Sequence, residues 1–290
     1  MNRRFFLATL GSFWLGLSAA LAAEPAPLLT FAAIADIQFA DKDSGKTRFY
    51  RESPAKLRSV AADLNRAQPA FVIHLGDLTD GQPTPELCKK DVETIAAELK
   101  GVTAPWKQVL GNHDAKAGRE WLTATLGCKE FHYEFSIPNL AGWRFMVLDG
   151  NDAGYGVFSA QQLDWFRGVL AQAKARQERV LCFCHYPLVK EKDKGNVAAK
   201  LAPALKILEE SGCVVAWLCG HEHAGGYVLR NGIHHLNLRG MCETKDQPAA
   251  AIIRLFPDRL SVTGFGREPS RELLFAPATN AAPVALRPAA

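Results

Sequence analysis

Between residues 29 and 223, short apolar runs alternate with longer amphipathic segments, and nearly every run stops at residues able to ligate a metal. No other feature of the chain constrains its fold as tightly. Runs at 29–35, 70–75, 107–110, 144–148, 180–184 and 214–219 are too short for helices and read as buried strands. Segments 54–67, 86–99, 159–175 and 198–209 have helical spacing, with Pro54 after Ser53 and Glu86 after Pro85 marking two starts. The alternation predicts an α/β layered fold. Runs at 232–238, 250–256 and 259–265 follow one another without helices, so two sheets are expected.

No repeat and no Gly/Ser-rich linker interrupts the middle, so residues 28–272 read as one domain. Ahead of it, Arg3 and Arg4 precede nineteen uncharged residues, 5–23, that contain Ala20-Leu21-Ala22. These are the basic, apolar and small-residue parts of an export signal, and they predict a signal peptide over 1–22 cleaved near Ala22. Arg3-Arg4-Phe5-Phe6-Leu7 is similar to the bacterial twin-arginine signal, so a periplasmic protein without a membrane anchor after cleavage is expected. An uncleaved anchor competes, since nineteen apolar residues just span a bilayer; Gly11, Ser12, Gly16 and Ser18 count against it. Residues 276–290, mostly Ala and Pro, read as a disordered tail. Thirty-four basic against thirty acidic residues leave +4 with no basic run, so nucleic acid is not the expected partner. The seven cysteines are odd in number and scattered, unlike a disulfide scaffold. Cys182, Cys184, Cys213 and Cys219 lie in apolar runs and read as small buried hydrophobes.

In α/β sheets, ligands gather at the carboxyl ends of strands. There the chain places Asp36 and Gln38, then Gly76-Asp77, then Gly111-Asn112-His113-Asp114, then His185, then Gly220-His221-Glu222-His223. An extended segment would point Asp36 and Gln38 the same way, and likewise His221 and His223. Asp36, Gln38, Asp77, Asn112, His185, His221 and His223 supply seven donors, enough for two metals sharing a carboxylate. Mixed oxygen and imidazole donors without thiolate suit Mn²⁺, Fe or Zn²⁺. Glycine before Asp77, Asn112 and His221 lets the backbone turn tightly about such a site.

This ordered set resembles the calcineurin-like metallophosphoesterase superfamily over the whole domain, with Gln38 standing where most members have histidine. That departure accompanies Ile34-Ala35-Asp36-Ile37-Gln38-Phe39-Ala40-Asp41, His74-Leu75-Gly76-Asp77-Leu78-Thr79-Asp80-Gly81 and Gly220-His221-Glu222-His223-Ala224-Gly225-Gly226-Tyr227. Together they are similar to the manganese-dependent ADP-ribose/CDP-alcohol diphosphatases. The resemblance implies a four-layer α/β/β/α sandwich of two mixed sheets and two divalent ions, Mn²⁺ favoured. Asp36, Gln38, Asp77 and His223 would hold one ion, and Asp77, Asn112, His185 and His221 the other. His113 would donate a proton to the leaving oxygen, with Asp114 fixing its orientation. The implied reaction is cleavage of the diphosphate in ADP-ribose, CDP-alcohols or related small nucleoside-diphosphate compounds. A broad phosphomonoesterase or phosphodiesterase is the alternative; a non-catalytic metal-dependent scaffold has no use for His113.

On the substrate side, Phe39, Arg48, Phe49 and Tyr50 are candidates to stack a base and neutralise a diphosphate. Packing beneath the loop is the competing reading of the aromatics. His74, His132, His234 and His235 read as structural or surface residues, and Glu222 as pointing away from the metals.

Overall fold

The computed structural model describes residues 25–191 and 197–276. The leader read over 1–22 lies outside the described residues, as does the tail from 277 onward. Among the described residues, no helix is long and apolar enough to cross a membrane.

Two six-stranded mixed sheets stack face to face. In the first, β1 (Leu29–Ile34), β2 (Val72–His74) and β3 (Trp106–Gln108) are parallel. On the other side of β1 follow the antiparallel β10 (Ala249–Leu255), β11 (Arg259–Gly266) and β12 (Arg271–Leu274). In the second sheet, β5 (Trp143–Val147), β6 (Arg179–Phe183), β7 (Val214–Cys219) and β9 (Ile233–Asn237) are parallel. Its antiparallel edges are β4 (Tyr133–Phe135) and β8 (Gly226–Arg230).

Strand alternation builds three apolar layers from these sheets. Leu29, Phe31 and Ala33 of β1 meet Phe145, Phe183 and Leu218 between the sheets, with Phe31 stacked on Phe71 at 5.0 Å. Ala32 and Ile34 face the other way, onto Leu57, Val60 and Leu64 of α1 (Ser53–Arg66) and Val92 and Ile95 of α2 (Pro85–Leu99). On the far side, Met146, Cys182 and Trp217 pack under Phe166 and Leu170 of α4 (Ala160–Ala175) and Leu205 and Leu208 of α5 (Ala202–Ser211). The result is the expected four-layer α/β/β/α sandwich. Because strands buried on both faces lose the polar alternation of half-exposed ones, they appeared in the sequence as continuous apolar runs.

The helices start where their local chemistry allows. Thr84 accepts from Leu87 N ahead of Pro85, and Ser159 accepts from Gln162 N ahead of α4. The segment expected over 198–209 becomes helical only at Ala202, where Pro203 fits the first turn, and runs to Gly212 at φ +68°. α3 (Arg119–Leu126), β4, β8 and β12 were not foreseen. β8 pairs with β9 through Asn231-Gly232, both at positive φ, the backbone a tight hairpin requires. β12 and the buried Phe275 carry the domain past the expected boundary at 272.

Trp217 is fully buried, and its indole N–H donates to the Tyr186 carbonyl at 3.0 Å. Trp217→Ala is therefore expected to destabilise the fold by about 3–5 kcal/mol, read as a lower urea midpoint at unchanged slope. A midpoint shift close to zero would mean that this layer does not hold the sheet to α4 and α5.

Candidate metal centre

The loops leaving β1, β2, β3, β6 and β7 converge at the carboxyl ends of the parallel strands. Asp36, Gln38, Asp77 and His221 adopt φ of 50°, 42°, 56° and 71°, a left-handed conformation that costs a residue with a side chain roughly 1–3 kcal/mol. The extended geometry expected for Asp36 and Gln38 is therefore replaced by a sharp turn. Lacing between loops holds that turn: Asp36 N donates to Gly76 O at 3.1 Å, Gln38 N to Asp77 O at 2.9 Å, and His221 N to Asp36 Oδ2 at 3.0 Å. Two glycines leave the space required. A Cβ at Gly111 would fall 2.0 Å from Asp77 N, and one at Gly220 2.6 Å from Asp36 Oδ2.

The seven predicted donors come together as two groups that meet at Asp77. In one, His185 Nε2 lies 3.2 Å from Asp77 Oδ2, 3.1 Å from Asn112 Oδ1 and 3.2 Å from His221 Nδ1. In the other, His223 Nε2 lies 3.4 Å from Asp36 Oδ1, and Gln38 Nε2 donates to Asp77 Oδ2 at 3.1 Å. His221 and His223 thus serve different groups. One proton on His185 Nε2 cannot satisfy the Asp77 and Asn112 oxygens and the facing His221 nitrogen at once, whereas a cation among them can. The set of carboxylate, amide and imidazole donors fits divalent metals.

The carboxylates at this place attract positive charge. Asp77 is held well below the carboxylate range: burial opposes this, but the His185 charge and hydrogen bond and the His113 backbone N–H, at 2.9 Å from Oδ1, outweigh it. Burial also opposes charge on His185, yet Asp77 raises it to about 9; likewise the Asp36 carboxylate works against burial at His223, which is raised to about 11. His221 is pushed down to about 4 by burial and by the neighbouring His185. Ring orientation is fixed from behind. His185 Nδ1 donates to Leu75 O at 2.9 Å and His223 Nδ1 to Glu243 Oε1 at 2.8 Å, which turns each Nε2 toward the carboxylates.

His113 borders the centre, its Nε2 4.0 Å from Asp77 Oδ2. The partner of its ring is not the one expected. Asp114 is buried with its carboxylate turned inward, accepting from Gly111 N at 3.1 Å and Thr79 N at 3.0 Å, and burial and then Asp77 raise it to about 6. Asp80 takes the orienting place: its carbonyl accepts from His113 Nδ1 at 2.8 Å, and its Oδ1 lies 3.7 Å away. The signal for Asp80 was a second carboxylate three residues past Asp77 in the same loop. Cys242 and Glu243 were also missed. They follow β9, whose continuation is laced to the first loop by Met241 N to Ala35 O and Cys242 N to Asp36 O.

Of the four substrate-side candidates, Phe39 and Tyr50 are buried, Phe39 in the layer beneath α1 and α2. Phe49 is half-buried, its N–H on Cys242 O at 2.8 Å. Arg48 keeps 38% of its side chain exposed, 3.4 Å from Asp80 Oδ1 and 3.9 Å from Glu243 Oε1. It lies between the carboxylate residues that orient His113 and His223. His74, His132, His234 and His235 lie outside the donor groups, and Glu222 pairs with Lys190. All seven cysteines are free, and burial raises the Cys242 thiol.

Residues 29–225 match the calcineurin-like phosphoesterase family, and the chain belongs to it. With ligand-type side chains gathered at one place, it is a metal-dependent phosphohydrolase. A Mus musculus protein named manganese-dependent ADP-ribose/CDP-alcohol diphosphatase is 29% identical over 84% of this chain and 93% of its own. The Homo sapiens protein of that name is 28% identical over 84% and 92%. A Danio rerio dimetal phosphatase superposes with a TM-score of 0.75 at 25% identity, covering 86% of this chain and 100% of that one. A yellow lupin purple acid phosphatase shares the fold alone, with a TM-score of 0.59 at 13% identity over 86% of this chain and 54% of its own.

Proposed function

We propose that this protein is a Mn²⁺-preferring hydrolase. It cleaves the diphosphate of ADP-ribose, CDP-alcohols or related compounds to a nucleoside monophosphate and a phosphorylated remainder. The observation that carries the reading is Gln38 against Asp77, an amide where an imidazole is usual, in a donor set rich in oxygen. That composition favours Mn²⁺ over softer ions, and the relatives' named activity points to the same metal and substrates.

Asp36, Gln38, Asp77 and His223 would hold one cation, and Asp77, Asn112, His185 and His221 the other. When bound, the pair supplies Lewis acidity that activates water and withdraws charge from the phosphoryl group. The chain's own residues do the rest. Protonated His113, with Nδ1 on the Asp80 carbonyl, gives its Nε2 proton to the oxygen leaving with the second phosphate. The Asp80 and Asp77 carboxylates stabilise its charge while the proton is held. Arg48, half-exposed and 3.4 Å from Asp80 Oδ1, can donate to the non-bridging oxygens of that second phosphate. The test is a panel of ADP-ribose, a CDP-alcohol, a nucleoside monophosphate and p-nitrophenyl phosphate, each with Mn²⁺, Mg²⁺ and Zn²⁺. The diphosphates with Mn²⁺ should give the highest kcat/KM; a monoester ranking first would replace the reading with a phosphomonoesterase.

Gln38→His tests the residue behind the metal preference. The variant should keep two ions and depend less on Mn²⁺ and more on Zn²⁺, as imidazole suits Zn²⁺ better than an amide does. Identical preference in Mn²⁺ and Zn²⁺ titrations of both proteins would remove Gln38 from the ligand set.

A further inference from the structure

Beside Gln38 lies a group that the proposed chemistry does not use. Cys242 Sγ is fully buried, 3.3 Å from Gln38 Oε1 and 3.4 Å from His223 Nδ1. The two contacts are not equivalent. The Nδ1 proton of His223 already goes to the Glu243 carboxylate at 2.8 Å, a charged acceptor that outcompetes a neutral sulfur farther away. The thiol proton is therefore left to Gln38.

The Gln38 amide is almost wholly buried, and among the described residues its side-chain partners are two, with its nitrogen on Asp77 Oδ2 and its oxygen on Cys242 Sγ. To offer its oxygen to a cation at Asp36 and Asp77, the amide must turn over, which brings its nitrogen to the sulfur. A thiol both donates and accepts, so it satisfies either orientation. An apolar side chain would satisfy neither, leaving one end of a buried amide unpaired whichever way it faced. The sulfur is also well fixed, since Cys242 N donates to Asp36 O at 3.0 Å and Cys242 O accepts from Phe49 N at 2.8 Å.

We infer that Cys242 is a positioning residue for Gln38, a swivel partner that keeps the amide paired with its nitrogen or its oxygen toward the Asp36 and Asp77 carboxylates. This rests on Gln38 belonging to the metal centre, and not on which diphosphate is cleaved.

The test is Mn²⁺ binding to ion-free protein without substrate, followed by the electron paramagnetic resonance of the free ion, with thermal unfolding as the check on folding. Cys242→Val should weaken one of two binding steps by about tenfold and leave the other unchanged, the size usual for losing a partner of a metal ligand. Cys242→Ser keeps a group that donates and accepts, and should recover most of that loss. In a Gln38→Ala background, Cys242→Val should cause no further loss, because the amide it serves is gone. Wild-type affinity in Cys242→Val, equal weakening in the Val and Ser variants, or an undiminished Val effect without Gln38 would each overturn the assignment. Failure of the diphosphate reading would appear in the substrate panel and leave these affinities untouched.

Discussion

Asp77→Asn should lower kcat/KM by roughly a thousandfold or more and reduce the bound metal from two ions per chain to one. Both donor groups meet at this side chain. Its Oδ2 lies 3.2 Å from His185 Nε2 and 3.1 Å from Gln38 Nε2, and its Oδ1 accepts from His113 N at 2.9 Å. Asparagine keeps the shape and one carbonyl for the His113 N–H. It removes the negative charge that would lie between two cations, and it turns an amide NH₂ toward groups that themselves donate. Elemental analysis of dialysed protein together with initial rates checks both halves. Full activity with two bound ions would remove Asp77 from the bridge.

His113→Ala should leave two ions bound while kcat falls by about 10²–10⁴, the range for losing a positioned general acid. Its ring reaches Asp77 only at 4.0 Å and stands outside the donor groups, so the metals have no reason to leave. The loss should be much smaller on p-nitrophenyl phosphate, whose leaving group departs without a proton. Asp80→Asn should have a milder effect, because the closer contact, 2.8 Å, is to the Asp80 carbonyl, which the substitution keeps. Asp114→Asn should act through the loop that presents Asn112, since its carboxylate holds Gly111 N and Thr79 N. An equal kcat loss for His113→Ala on both leaving groups would contradict proton donation by this residue.

Much of the centre was legible because chemistry and topology coincide. Parallel strands buried on both faces are apolar throughout, so the polar residue ending each run stood out, and a shared strand direction brings those ends together. What was not legible depended on side-chain direction. Asp114 adjoins His113 in sequence, yet it begins a 3-10 turn (Asp114–Ala117) that carries its carboxylate inward, and Asp80 from a separate loop takes its place. Glu243 and Cys242 enter through a stretch after β9 that carries no motif of its own, and only the lacing of Met241 and Cys242 to the first loop reveals them. Phe39 follows a predicted ligand directly but faces the layer under α1 and α2, because the left-handed turn at Gln38 changes which side the next residue faces. β8 mixes glycine, aromatic and charged residues without clean alternation, and the Asn231-Gly232 pair was its one clear signal.

The most direct measurement is ADP-ribose cleavage against the number of Mn²⁺ ions bound, starting from ion-free protein and separating the products by chromatography. AMP and ribose phosphate should form together in equal amounts, at a rate that follows the fraction of chains holding two ions. Two bound ions with rapid monoester hydrolysis and no cleavage of the diphosphate, or full cleavage with one ion bound, would contradict the account.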